Sequence, residues 1–113
     1  MKPDRARELL ARARARLEGA LADLGHLPDD ELSHVDQHPA DQGTDLFEDE
    51  RDAGVAERMR EELEAVTRAE HRLEQGTYGR SIESGEAIPD ARLEVVPAAE
   101  RTVGEQERFE RRR

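Results

Sequence analysis

Apolar residues near the start of the chain recur at steps of three and four, which is the spacing of one face of a helix. They are Leu9, Leu10, Ala13, Leu17, Leu21 and Leu24. Pro3 suits a first helical turn, and Gly25 and Pro28 follow the last apolar position, where helices commonly stop. The pattern predicts a first helix over residues 3–24.

A second helical pattern begins near Asp45 and continues to about Gln75. Asp45 falls in its first turn, where a carboxylate opposes the positive end of the helix dipole, and Gly76 supplies the stop. An aromatic residue such as Phe47 on the apolar stripe is more often interhelical core than an exposed anchor. The apolar stripe consists of Leu46, Phe47, Val55, Met59, Leu63, Val66 and Leu73. Two amphipathic helices of this kind most simply form an antiparallel hairpin, each covering the other's apolar stripe.

The remaining segments show no sustained period. Residues 25–44 are interrupted by prolines, glycines and carboxylates, which predicts a loop. From residue 77 onward, glycines and prolines separate short apolar pieces, with a candidate strand at 93–96 and a final helix from Pro97 to about Arg111. We therefore expect a mainly α protein: a helical hairpin (1–76) with an acidic tip loop (25–44), followed by a small turn-rich lobe and C-terminal helix (77–113).

Composition argues against an enzyme and against a membrane protein. Charged residues make up 41% of the 113 residues, and only three are aromatic, which leaves little surface to line a deep apolar pocket. The sequence holds no P-loop, dinucleotide fingerprint or Gly-x-Ser-x-Gly elbow. No apolar run approaches the roughly 20 residues of a spanning helix, and the first residues lack a signal peptide's apolar segment. We expect a soluble, cytoplasmic protein without catalytic activity or a membrane partner.

The formal charge of -10 is concentrated in one part of the chain. Residues 25–54 hold ten acidic residues and one basic residue, Arg51. Direct DNA binding is disfavoured, because it draws its affinity from clustered lysine and arginine. The simplest interpretation of the acidic segment is a solvated loop; the alternative is a segment that approaches a bound cation. His34, His38 and Asp41 could form a metal site, but their spacing in a loop is weak support for one.

Two stretches resemble a known family. Residues 76–79 (GTYG) and 88–99 (IPDARLEVVPAA) resemble the zinc-finger segment of the DksA/TraR family of transcription regulators. Residues 31–33 (ELS) and 38–48 (HPADQGTDLFE) resemble the shorter, stress-associated branch of that family. The likeness covers roughly residues 31–106, and it implies a helical hairpin mounted on a small lobe with a C-terminal helix. This expectation agrees with the periodicity of the apolar residues.

The resemblance also implies a degenerate finger. The family's four zinc cysteines align with Ser81, Ser84, Thr102 and Glu105, and the chain contains no cysteine. These residues cannot form a thiolate-rich tetrahedral site, so we expect the lobe to fold without zinc. Its stability would come from hydroxyl groups bonded to turn backbone and from packing against the hairpin foot by Tyr78, Ile82, Ile88, Leu93, Val95 and Val96.

In the family, the hairpin tip enters the secondary channel of RNA polymerase and approaches the catalytic magnesium region. Longer members carry two aspartates three apart and then an alanine, and these align with His38, Asp41 and Gly43. The resemblance implies that Asp41 carries tip function and that Asp36, Asp45 and Glu48 shape the local field; a carboxylate suits a magnesium centre. Asp41 would otherwise serve turn chemistry. His38 leaves the sign and strength of any effect on transcription open.

These observations favour a monomeric, non-enzymatic transcription regulator that binds RNA polymerase through its secondary channel. Whether the nucleotide ppGpp acts with it stays open. Two alternatives remain: a coiled-coil scaffold or stress protein that has lost polymerase binding, and a loop protein that binds a divalent metal. Arg92, which precedes the matched Leu-Glu, is expected to pair with a carboxylate of the hairpin foot, with a polymerase contact as its other possible role.

Overall fold

The computed structural model of the protein describes residues 1–25 and 46–113. These residues form four helices: α1 (Pro3–Asp23), α2 (Leu46–Gln75), α3 (Asp90–Val95) and α4 (Val103–Arg112). The described ranges contain one isolated antiparallel bridge, Arg80 with Ala87, and no strand. None of the described helices is both long and apolar enough to cross a membrane.

Helices α1 and α2 form the predicted antiparallel hairpin. The buried core of the hairpin consists of Leu10, Ala13, Leu17, Val66 and Ala69, and Met59, Leu63 and Leu73 pack against it. The helices run in opposite directions, since Leu10 lies beside Leu73 while Leu17 lies beside Val66. Burying one leucine side chain contributes roughly 1.5 to 3 kcal/mol, so this seam is the main source of hairpin stability.

Glycine ends α2 as the sequence predicts. Gly76 has a φ of 82°, and the Thr77 N–H donates to the Arg72 carbonyl at 2.9 Å, while the Gly76 N–H donates to the Leu73 carbonyl at 3.3 Å. These two bonds are the Schellman pattern, which satisfies carbonyls at a helix end and needs a left-handed residue. The chain therefore turns sharply off the hairpin at residue 76 and enters the lobe.

The lobe has a small core of its own. Ile88, Leu93 and Ala99 are buried together, and Tyr78 packs against both this core and the core of the hairpin. The Tyr78 hydroxyl donates to the Pro97 carbonyl at 2.8 Å. Tyr78 thus connects the lobe to the foot of the hairpin.

Two expectations for the lobe are wrong. Residues 93–96 are not a strand, because α3 spans Asp90–Val95 and the described residues offer no neighbouring strand for pairing. Ile82, Val95 and Val96 do not pack inward: they are 50%, 80% and 40% exposed, respectively. One helical turn after Pro89 leaves Leu93 buried and turns Val95 outward. The predicted final helix is confirmed, although it begins at Val103.

Candidate functional site

The predicted tip residues Asp41, His38, Gly43 and Asp45 lie outside the described residues, and so does His34. The hairpin foot and the lobe are described in full. The second group of predicted site residues, Ser81, Ser84, Thr102 and Glu105, belongs to this region.

Ser81 and Ser84 stabilise a tight turn. The Ser81 Oγ accepts hydrogen bonds from the backbone N–H groups of Glu83 (3.0 Å) and Ser84 (3.2 Å). The Ser84 Oγ accepts from the Glu86 N–H at 3.2 Å. Serine commonly closes turns in this way, because its short side chain reaches the backbone a few residues onward. Ser81 is buried, whereas Ser84 is exposed.

Thr102 and Glu105 form a capping box at the start of α4. The Thr102 Oγ1 accepts from the Glu105 N–H at 3.2 Å, and the Glu105 Oε1 accepts from the Thr102 N–H at 2.9 Å. Hydrogen bonds from the Ser81 and Ser84 hydroxyls and from the Thr102 N–H lower the pKa of Glu105 to about 2. Glu105 is only 6% exposed. The fold therefore brings all four predicted positions together around one ionised carboxylate.

Arg101 makes a second connection between the turn at 81–84 and α4. Its guanidinium lies 3.7 Å from the centroid of the Phe109 ring, and its Nε donates to Glu83 Oε2 at 2.6 Å. A guanidinium over an aromatic face is attracted by the ring quadrupole. Arg92 Nε donates to the Arg101 carbonyl at 3.0 Å. The expected partner of Arg92, a carboxylate of the hairpin foot, is thus corrected to a carbonyl within the lobe.

Glu100 fastens the lobe to α2. Its carboxylate accepts from Arg68 Nε at 2.7 Å and from Arg72 Nη1 at 3.3 Å. Burial works to raise the pKa of Glu100, but the hydrogen bonds and charges of the two arginines outweigh burial and hold the pKa below its ordinary value. The Ile82 N–H donates to the Glu100 carbonyl at 2.9 Å, so this residue joins α2, the 81–85 turn and the segment before α4.

A second ion pair fastens the lobe to α1. Arg5 donates from Nε and Nη2 to the two carboxylate oxygens of Glu94, at 2.9 and 2.6 Å. The sequence does not predict this pair or the Glu100 cluster, because their members are far apart in the chain and no spacing rule relates them.

An open groove of about 800 Å³ lies between the hairpin and the lobe. Its walls are the middle of α2, the segment 95–101 and α4, and we call it the shaft–lobe groove. Val95 and Val96 lie on its edge and are exposed. Arg16 of α1 and Arg58 of α2 line the hairpin side. The apolar side chains predicted to form lobe core thus lie partly at this surface.

Together these features define a helical-hairpin protein that carries a finger-like lobe without cysteine. The description "Prokaryotic dksA/traR C4-type zinc finger" is that of a family model that matches residues 76–111. The RNA polymerase-binding transcription factor DksA of Caulobacter vibrioides is 33% identical over 105 residues, which cover 93% of this chain and 72% of that protein. The chain belongs to the DksA/TraR family, as the resemblance predicted.

Two further comparisons agree with this assignment. General stress protein 16O of Bacillus subtilis is 47% identical over 74 residues, which cover 65% of this chain and 45% of that protein. The chain spans less than half the length of the two Bacillus subtilis relatives that it matches. The solved structure of transcription factor DksA2 from Pseudomonas aeruginosa matches with a TM-score of 0.66 and 31% identity, over 97% of this chain and 84% of that one. The predicted fold class is confirmed.

The donor set of the lobe does not fit the zinc of a C4-type finger. Structural zinc takes cysteine thiolates and histidine nitrogens, whereas the four aligned residues offer three hydroxyls and one carboxylate. The carboxylate already accepts hydrogen bonds from its neighbours. Among the described residues, no group of three or more His, Cys, Asp or Glu side chains could hold a metal ion.

Proposed function

We propose that this protein is a transcription regulator that binds RNA polymerase through its secondary channel. The observation that carries the proposal is the match to DksA, a protein named as RNA polymerase-binding, at 33% identity over 93% of this chain. The structural match to DksA2 over 97% of the chain supports the same assignment. In this proposal the hairpin enters the channel and its tip approaches the catalytic magnesium region.

The shape of the hairpin suits entry into a channel. Helix α2 has 30 residues and is therefore about 45 Å long at 1.5 Å per residue. Among the described residues, α1 is the helix that packs along α2, and it lies beside the C-terminal half of α2, since Leu10 lies beside Leu73 and Leu17 beside Val66. The seam between them is apolar, and arginine and glutamate side chains line its margins, as in the pair of Arg14 with Glu70. A stiff, narrow shaft can carry its tip a long way from the lobe.

The charge of the tip loop suits a magnesium centre. Five acidic residues lie in the tip loop (25–44) and five more follow in residues 45–54, and hard cations prefer oxygen ligands. We propose Asp41 as the residue that acts there, with His38, Gly43 and Asp45 shaping its surroundings. The regulator would act by position and charge alone, as a monomer and without chemistry of its own. No zinc is required in this proposal, and ppGpp is a co-regulator to be tested.

The lobe would serve as the docking base. Val95 is 80% exposed and Val96 is 40% exposed beside the shaft–lobe groove. Two adjacent exposed valines at the edge of a groove offer apolar surface to a partner. We propose that this groove faces the polymerase around the channel entrance, where it would hold the shaft in register.

The test combines binding and transcription. Purified protein should compete with a channel-entering factor for RNA polymerase and change transcript yield in vitro. Asp41→Ala should still bind and should lose the effect on transcription, whereas Asp29→Ala, in the same acidic segment, should keep it. Failure of the wild-type protein both to bind polymerase and to change transcript yield would overturn the proposal.

The scaffold alternative makes a different prediction. The 47% identity to a protein named a general stress protein keeps this alternative open. A scaffold that pairs through its hairpin would be a stable dimer whose shaft is covered. Light scattering at micromolar concentration separates the two, since a channel-entering regulator should be monomeric.

A further inference from the structure

A C4-type finger uses its metal to join two chain segments. By the resemblance to the family, these segments are the turn at 81–84 and the start of the last helix at 102–105. Structural zinc supplies much of the folding free energy of such small units, so a chain without the ligands needs another cross-link in the same place. The structure shows what occupies that place here. Such a cross-link is expected from family membership and does not require polymerase binding.

Each segment first satisfies its own backbone. In the turn, Ser81 Oγ and Ser84 Oγ together accept three backbone N–H groups. In the helix start, the capping box of Thr102 and Glu105 accepts two more. In both segments these polar groups are already hydrogen-bonded and are not left to bind a metal ion.

The bonds between the segments come from the hydroxyl hydrogens. A serine hydroxyl has two acceptor positions and one donor. Ser81 Oγ uses both acceptor positions on the N–H groups of Glu83 and Ser84, which leaves its hydrogen for another acceptor. Ser81 and Glu105 are both buried, and hydrogen bonds from the Ser81 and Ser84 hydroxyls are the leading cause of the lowered pKa of Glu105. The carboxylate thus receives two hydroxyls from one segment and the Thr102 N–H from the other. Networks in which every member is bonded are rigid, because no partner is free to rearrange.

A second link runs beside the first. Arg101 precedes the helix start, and its guanidinium bonds Glu83 in the turn and stacks on Phe109 in α4. The side chains of Arg101 and Glu83 are 14% and 34% exposed, so this ion pair is partly buried. Two independent contacts therefore join the same two segments.

We infer that a hydrogen-bond hub centred on Glu105, backed by the Glu83–Arg101–Phe109 contact, has replaced the zinc as the cross-link of this finger. The four positions keep the placement of a metal site, while their chemistry has changed from thiolate ligation to hydroxyl–carboxylate bonding. The lobe is accordingly a metal-independent finger, insensitive to chelators and to reagents that attack thiols.

The first test compares Glu105→Gln with Glu107→Gln. The two glutamates lie on the same helix, but Glu107 is exposed. An amide NH₂ cannot accept a hydroxyl hydrogen, so Glu105→Gln should lower the denaturation midpoint of the lobe, followed by the fluorescence of Tyr78. Glu107→Gln should leave the midpoint unchanged, and so should EDTA added to the wild-type protein. Equal midpoints for the two variants, or stoichiometric zinc in the purified protein, would overturn the inference.

Hydrogen exchange keeps the test informative if Glu105→Gln fails to fold. In the wild-type protein without metal, the amides of Glu83, Ser84 and Glu86 should be protected, since the serine hydroxyl oxygens bond them. Rapid exchange at all three would contradict the hub.

The reverse substitution tests the geometry. The variant Ser81→Cys/Ser84→Cys/Thr102→Cys/Glu105→Cys should bind one zinc ion per chain and become sensitive to EDTA. A control with the first two substitutions alone offers two thiolates and should bind zinc far more weakly. If the fourfold variant binds zinc no better than this control, the four positions do not keep a metal-site placement and the inference fails.

Discussion

Arg14 of α1 donates hydrogen bonds to both carboxylate oxygens of Glu70 of α2, with Nε 3.2 Å from one oxygen and Nη2 2.7 Å from the other. The same Nη2 donates to Thr67 Oγ1 at 2.7 Å. The hydrogen bond that Arg14 donates to Glu70 is the largest of the interactions that raise the pKa of Arg14 above its ordinary value. This pair joins one turn of α1 to one turn of α2 and so supports the register of the apolar seam.

The first prediction concerns this pair. A double-mutant cycle with Arg14→Gln and Glu70→Gln should give a coupling free energy of about 1 kcal/mol, since the pair is bidentate but only partly buried. Urea denaturation followed by circular dichroism measures it. The Arg7–Asp4 pair, which is exposed and lies within one helix, is the control and should give no more than about 0.5 kcal/mol. Equal couplings would show that the pair between the helices has no special role.

Three glycines allow a matched test of the helices. Gly19 and Gly54 lie inside α1 and α2. A Cβ added at Gly19 would meet nothing within 4 Å, and one added at Gly54 would lie 3.9 Å from Nη1 of Arg58, which is ordinary contact. Alanine at either position should stabilise the hairpin by about 0.5 to 1 kcal/mol. Gly76→Ala should destabilise it by about 1 kcal/mol or more, because the φ of 82° strains any residue with a Cβ. Thermal denaturation of the three variants should therefore give midpoints on both sides of the wild-type value.

The hairpin could be predicted from the sequence because residues close together in the chain define each of its helices. Leu10, Leu17 and Val66 recur at helical spacing, and Gly76 marks the stop, so periodicity and one glycine define two helices and their pairing. The capping box of Thr102 and Glu105 was also accessible, since a threonine three residues before a glutamate is its signature. The resemblance to the family presents Thr102 and Glu105 only as lost metal ligands and does not predict their role as a capping box.

Other features depend on tertiary structure. Val95 and Val96 are β-branched and favoured a strand, but the described lobe provides no strand to pair with them. The contact of Arg101 with Glu83 joins residues 18 positions apart, and that of Arg68 with Glu100 joins residues 32 apart. These partners come together only when the lobe folds and packs against α2.

Tyr78 gives a prediction for alkaline pH. Burial raises the pKa of its hydroxyl to about 12, from an ordinary value of 10.0. The folded state therefore holds this proton more tightly than the unfolded state, so its stabilising effect is complete below pH 10 and is lost as the pH rises to about 12. Because the chain has one tyrosine and no tryptophan, absorbance at 295 nm follows this group alone.

Two outcomes check the Tyr78 prediction. The absorbance midpoint should lie near pH 12 in the folded protein and near 10 in urea, and the unfolding free energy should decline between those values. Tyr78→Phe also removes the hydrogen bond to the Pro97 carbonyl. In this variant the unfolding free energy should not show the part of the decline that comes from ionisation of the tyrosine. A folded-state midpoint near pH 10 would contradict the burial of the hydroxyl.

Leu93 and Val95 separate stability from binding on one short helix. Leu93 is 1% exposed in the lobe core, whereas Val95 is 80% exposed beside the shaft–lobe groove. Leu93→Ala should cost about 2 to 5 kcal/mol of lobe stability, as expected for a fully buried leucine. Val95→Asp should change stability by less than about 0.5 kcal/mol, because it alters an exposed position. If the groove faces RNA polymerase, the same Val95→Asp substitution should weaken polymerase binding at least tenfold, since it places a charge in an apolar contact. Unchanged stability with unchanged polymerase affinity would remove the groove from the proposed interface and leave the hairpin as the remaining contact to be tested.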